Sequence, residues 1–258
     1  MENKLSSVRF LPWVGKNYKN GGVFNKRILV VGESHYCGQC DRKECEEHFY
    51  HCGRNYTEYT ILKHLNDTLE KGGKTYTTFE RALVGGVPDE KIKRAIWNSI
   101  AFYNYLQYAL EKPRMKGEDS AYDAAEKPFF QVLDELKPEL IIVWSAGGRD
   151  SLYEKMPQER WIHCDNKIID DRQIPNGKFI LSDKSEVPTL FIMHPSSSRY
   201  SWKYWYKVIK EFGLAATILH SGIEFIDDIP LIFQEKLPRQ YNPLLPGNLY
   251  CDGGMEIE

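Results

Sequence analysis

The sequence predicts an α/β protein, a three-layer α/β/α sandwich around a central sheet of about four parallel strands. Three observations carry this. Short aliphatic runs such as Arg27-Ile-Leu-Val-Val and Thr189-Leu-Phe-Ile-Met stop abruptly in small and polar residues. Runs of that kind read as buried parallel strands. Between them lie stretches with helical spacing, which implies βαβ units and helices on both faces. The composition, 42% hydrophobic and 27% charged over 258 residues, is that of an ordinary globular protein.

Taken in order, residues 1–26 read as a lead-in with Pro12 and the turn-forming Asn20-Gly21-Gly22. Residues 27–31 are the first strand. Residues 37–56 form a charged, Cys/His-rich insertion. Ile61, Leu62, Leu65 and Leu69 give a helix over 59–69. Residues 97–105 read as a second strand ending near Asn104. Residues 129–136 form an amphipathic helix stopped by Lys137-Pro138, because the residue before proline avoids the helical region. Residues 140–144 are a third strand, 189–193 a fourth, and 202–212 a helix leaving it. The expected organisation is one domain over 1–220, with the Pro-rich segment 221–258 packed on it as an extension.

The formal net charge of −2 excludes a globally basic nucleic-acid coat, although a local basic groove is compatible with it. No run of about 18 apolar residues is present, so no membrane span is expected. Met1-Glu-Asn-Lys-Leu lacks the basic-then-apolar pattern of a secretory signal. The expectation is a cytoplasmic monomer. Four of the six cysteines are clustered, Cys37, Cys40, Cys45 and Cys52, with His48 and His51 between them. In a reducing compartment such a cluster points to metal or reactivity before disulfides. Four thiolates suit a structural zinc; an iron–sulfur cluster or free thiols are the alternatives.

Ligands of open α/β sheets bind outside the carboxyl ends of the strands. Glu33, Ser34, His35, Tyr36, His194 and Ser196 are therefore expected on the functional edge. Gly32-Glu33-Ser34-His35-Tyr36 after the first strand resembles the Gly-Gln-Asp-Pro-Tyr motif of the uracil-DNA glycosylase superfamily. His194-Pro195-Ser196 matches its second signature, and Ile141-Ile-Val-Trp144-Ser145 its intervening strand. The superfamily also carries an asparagine after its second strand, for which Asn104 is the match. These four elements fall in the family's order across residues 27–212.

The resemblance implies a DNA glycosylase that removes uracil or another deaminated base, with no cofactor for catalysis. It implies that His194 donates to a base carbonyl, Asn104 reads the base edge and Tyr36 walls the pocket, beside Gly32 and His35. Glu33 is the candidate for orienting water, with Ser34 its partner. Glutamate at this motif position occurs in the iron–sulfur branch of the superfamily. Ser196, Ser197, Ser198, Arg199 and Tyr200 are candidates for DNA backbone contact and for holding the gap left by a flipped base, with Lys203 and Lys207 adding charge. Ser34 stands where the family has its water-activating Asp. The alternative reading is accordingly a base-binding protein of the same fold that cleaves little. A metal-dependent hydrolase using the cysteines is the weakest reading, because four thiolates leave zinc no open position.

Overall fold

The computed structural model describes residues 5–36, 53–69, 73–110, 115–144, 152, 154 and 156–214. In chain order the strands are β1 (Trp13–Val14), β2 (Ile28–Gly32), β3 (His35–Tyr36), β4 (Ile100–Asn104), β5 (Ala109–Leu110), β6 (Leu140–Val143), β7 (Trp161–His163), β8 (Lys167–Ile169), β9 (Arg172–Ile174), β10 (Asn176–Ile180) and β11 (Glu186–Phe191). The helices are α1 (Tyr56–Leu65), α2 (Gly73–Val84), α3 (Glu90–Ser99), α4 (Asp119–Ala124), α5 (Glu126–Leu136) and α6 (Trp202–Glu211).

A seven-stranded sheet runs in the order β1-β4-β2-β6-β11-β10-β7. Its four central strands, β4, β2, β6 and β11, are mutually parallel. These are the four aliphatic runs of the sequence. Three further strands, β1, β10 and β7, extend the sheet antiparallel.

Side chains alternate across the sheet, as the pleat requires. Ile28, Val30, Ile100, Phe102, Leu140 and Ile142 share one core with Ile61 of α1, Phe79 of α2, Ile96 of α3 and Val208 of α6. Leu29, Val31, Ala101, Tyr103, Ile141 and Val143 share the other with Tyr122 of α4 and Phe129 and Leu133 of α5. Helices therefore cover both faces. Fully burying one such aliphatic side chain is worth about 1.5–3 kcal/mol, so the sheet centre is the fold's main anchor.

The ends of the elements follow local chemistry. Asp89 caps α3 by accepting from Ile92 N at 2.7 Å, and Ser201 caps α6 through Tyr204 N. Helix α5 stops at Lys137, which takes the left-handed conformation (φ 44°) before Pro138. Asp170 and Asp171, both at positive φ, turn the β8–β9 hairpin.

Several expectations shift. Trp97 belongs to α3, because Ile92, Ile96 and Trp97 bury one helical face; the strand begins only at Ile100. The helix expected over 59–69 is Tyr56–Leu65. The fourth strand starts at Glu186, since pairing with β10 extends it backward, and stops at Phe191. Helices α2 and α3 were not foreseen. The lead-in is part of the core: Leu5, Val8, Phe10, Tyr18 and Phe24 are buried. The segment 221–258 lies outside the described residues, as do residues 37–52 of the 37–56 insertion. Among the described residues, no helix is long and apolar enough to cross a membrane.

Candidate functional site

Strand register decides which side chains meet at the carboxyl edge. Gly32 pairs with Asn104, and Val31 with Val143, so Trp144 flanks Gly32 on its other side. Ile192 N donates to Val143 O at 2.8 Å, which aligns the exit of β11 with Trp144. By alternation Gly32, Asn104, Trp144 and His194 belong to the face carrying Val30, Phe102, Ile142 and Ile192. The His194 ring sits 6.3 Å from the Trp144 ring, edge to face.

Glycine at position 32 is required by this crowding. A Cβ there would lie 2.3 Å from Asn104 Oδ1, 2.9 Å from Trp144 Nε1 and 3.1 Å from Phe102 Cζ. Asn104 is 3% exposed, and among the described residues its carboxamide has no hydrogen-bond partner. Its amide atoms are not among the fully buried unpartnered groups, so they keep contact with solvent at the strand ends. Around it stand aromatic rings. Phe102 is 5.3 Å from Trp144, Tyr76 is 5.8 Å from Phe102, and Phe79 is 4.5 Å from Trp144. Tyr36, half-exposed, lies close enough that its phenol helps burial push the Tyr76 hydroxyl above its ordinary range.

His194 has a defined tautomer. Its Nδ1 lies 3.2 Å from the Ser196 amide N and 2.8 Å from Ser196 Oγ. A backbone N–H can only donate, so Nδ1 accepts and the ring proton sits on Nε2. Burial lowers the His194 pKa, so the ring is a neutral N–H donor at neutral pH.

Glu33 leaves the strand toward the opposite face. Its carboxylate Oε1 accepts from the Tyr122 hydroxyl of α4, and its carbonyl accepts from Leu106 N at 2.8 Å. Ser34 is buried, and its Oγ has no hydrogen-bond partner among the described residues. His35 points into the interior. Its ring is 4% exposed, 5.1 Å from Phe10 and 4.5 Å from Tyr56. Its Nε2 is 3.0 Å from Thr57 Oγ1. Burial drives its pKa down to about 3, so it stays neutral.

The turn after His194 consumes its own amides. Ser197 N donates to His194 O, Tyr200 N to Ser197 O, and Arg199 N to Ser197 Oγ. With the Ser196 amide on His194, these four donors are engaged within the turn. Ser196, Ser198 and Arg199 do remain exposed. Tyr200 stacks on Trp205 at 6.0 Å with its hydroxyl buried. Lys207 is engaged by Asp170 at 2.5 Å, and Lys203 lies over the Trp202 ring.

The structure thus brings together Gly32, Asn104, Trp144 and His194 on one face of the strand ends, turns Glu33 to the other face, and packs the side chains of Ser34, His35 and Tyr200 into buried surroundings. Cys37, Cys40, Cys45 and Cys52 lie outside the described residues. Among the described residues no group of three or more His, Cys, Asp or Glu side chains is arranged to hold a metal ion. Sequence reasoning missed Tyr122, Tyr76 and Gln107. Gln107 holds the edge rigid: Nε2 donates to Asn104 O and Tyr103 OH, while Oε1 accepts from Arg9 N and Phe10 N. Fold and site together define an α/β protein with polar side chains at the carboxyl ends of its parallel strands, above a buried aromatic cluster. No protein-family model matches the chain, and no curated protein is significantly similar to it.

Proposed function

We propose that the protein is a DNA glycosylase of the uracil-DNA glycosylase type, a hydrolase that cleaves the bond between deoxyribose and uracil or another deaminated base. The observation that carries this is the Asn104 carboxamide set against Gly32 at the strand ends, with the neutral His194 beside Trp144 on the same face. An amide offers a donor and an acceptor together, which matches the edge of a lactam base. The surrounding rings suit a planar ligand taken out of a base stack.

In the reaction the base leaves with the electron pair of the glycosidic bond and carries negative charge. His194 Nε2–H donates to the base carbonyl where that charge collects. Glu33 approaches from the other face of the sheet, steadies the oxocarbenium-like sugar and takes a proton from the water that attacks C1′. Products are the free base and an abasic deoxyribose. Ser198 and Arg199 contact phosphates of the DNA strand. The three-layer sandwich of that superfamily fits the four parallel strands and two-sided helix cover described above.

A second reading is supported by one observation. Ser34 supplies only a buried hydroxyl where the superfamily has a carboxylate, so the protein would bind a flipped base and cleave it poorly. Oligonucleotides carrying uracil, hypoxanthine or xanthine, single- and double-stranded, separate the two readings. Alkali-labile scission identifies the glycosylase and its base. Tight binding by fluorescence anisotropy with no scission identifies the binding protein. Neither scission nor base-dependent binding refutes both.

A further inference from the structure

Glu33 is held by a closed ring of hydrogen bonds that joins the end of β2 to α4. Tyr105 N donates to Gly32 O at 3.0 Å. The Tyr105 hydroxyl donates to Tyr122 O at 3.1 Å, and the Tyr105 and Tyr122 rings stack at 6.4 Å. The Tyr122 hydroxyl then donates to Glu33 Oε1. Tyr122 itself is buried, and α4 is further tied down where Glu118 N donates to Tyr108 OH at 3.2 Å. Every covalent and hydrogen-bonded link in this ring is short, so the carboxylate has little freedom to rotate.

We infer that Tyr122 is the positioning residue for the Glu33 carboxylate, occupying Oε1 so that Oε2 alone is left for water and sugar. The catalytic consequence rests on the glycosylase reading; the positioning itself does not. A phenol suits this task. Its ring is fixed by packing, and it offers one donor at a defined distance from the backbone. Burial first, and then the bond to Glu33, raise the Tyr122 pKa, so the phenol keeps its proton and remains the donor. A carboxylate with one oxygen committed cannot swing to pair with a passing cation or with DNA-bound counterions. It presents a single lone-pair direction, the kind of pre-set geometry on which general-base catalysis depends.

The test uses the full chain and Tyr122→Phe, which deletes one hydroxyl and keeps the ring. In protein labelled with carboxyl-13C glutamate, the Glu33 resonance is assigned by its loss in Glu33→Gln. The inference predicts that this resonance moves in Tyr122→Phe while thermal unfolding stays within a few degrees. An unmoved resonance overturns it, whether or not the protein cleaves DNA. In the cleavage assay Tyr122→Phe is expected to lower kcat roughly ten- to hundredfold with KM within about twofold. Combined with Glu33→Gln it should cost nothing further, because both changes remove the same carboxylate function. Additive losses would mean that Tyr122 acts elsewhere. Wild-type protein that releases no base, with a resonance that still moves, would refute the glycosylase reading and leave the clamp standing.

Discussion

The ends of β2 and β11 look alike in sequence, an aliphatic run followed by small and polar residues with a histidine among them, yet they are built for different purposes. After β2 the chain turns inward. Ser34 and His35 are buried, and His35 is enclosed by Phe10, Tyr56 and Thr57. After β11 the chain turns outward. His194 is partly exposed, its Nδ1 is taken by Ser196, and the next residues close a tight turn on themselves. One histidine is a polar spacer inside an aromatic box; the other is a donor with a fixed tautomer. The lesson is that histidine identity says little until the partner of each ring nitrogen is known.

The contrast can be broken or sharpened in four ways, the largest effect first. His194→Ala should lower base release by about a thousandfold, roughly 4 kcal/mol, as expected for removing a donor aimed at developing charge. Its unfolding midpoint in urea should stay near that of the wild type; a large loss of stability would make His194 structural. Gly32→Ala places a methyl group 2.3 Å from Asn104 Oδ1. Steady-state kinetics should show a drop of about a hundredfold from the displaced carboxamide, and near-wild-type rates would remove Asn104 from the site.

The third concerns acid. His35 has an ordinary pKa of 6.5 when unfolded and about 3 when folded. Above pH 6.5 both states are neutral and the residue adds no pH dependence. As pH falls from 6.5 toward 3, the unfolded chain gains a proton that the folded protein refuses. Stability is therefore lost at about 1.4 kcal/mol per pH unit, or about 2 kcal/mol between about pH 7 and about pH 5. Urea unfolding at those two values should show this loss in the wild type and a smaller one in His35→Gln. Equal losses in both proteins would mean that the ring is not held neutral by burial. The fourth and smallest is Ser196→Ala, which removes the 2.8 Å hydroxyl contact to Nδ1 but leaves the amide. About a fivefold loss of kcat is expected. A loss as large as that of His194→Ala would show that the hydroxyl takes part in the chemistry.

How much of this was legible follows from the range of each signal. The four parallel strands were readable because a strand buried on both faces is a continuous apolar run. Asn104 was singled out through the family resemblance, and the strand does end at it. The antiparallel β10 was not: Asn176-Gly-Lys-Phe-Ile is short and polar, and only pairing with β11 makes it a strand. Trp97 was drawn into the wrong element because aromatic and β-branched residues serve helices and strands alike once buried. In the site, Glu33 and His194 were visible from their places at strand ends. Tyr122 was not, since it meets Glu33 from 89 residues away and nothing local announces it. The inward turn of His35 was equally hidden, because Phe10 and Tyr56, which enclose it, come from the lead-in and α1.

The most direct test of the central claim, that Asn104 and His194 read a flipped deaminated base, is chromatographic detection of the base freed in a single turnover. Uracil, hypoxanthine and xanthine oligonucleotides would each be mixed with excess wild-type protein, His194→Ala or Asn104→Ala. The account predicts release of one of these bases by the wild type and loss of that release in both variants. Release that persists in both, or no base-dependent signal and no base-dependent binding by the wild type, would contradict it.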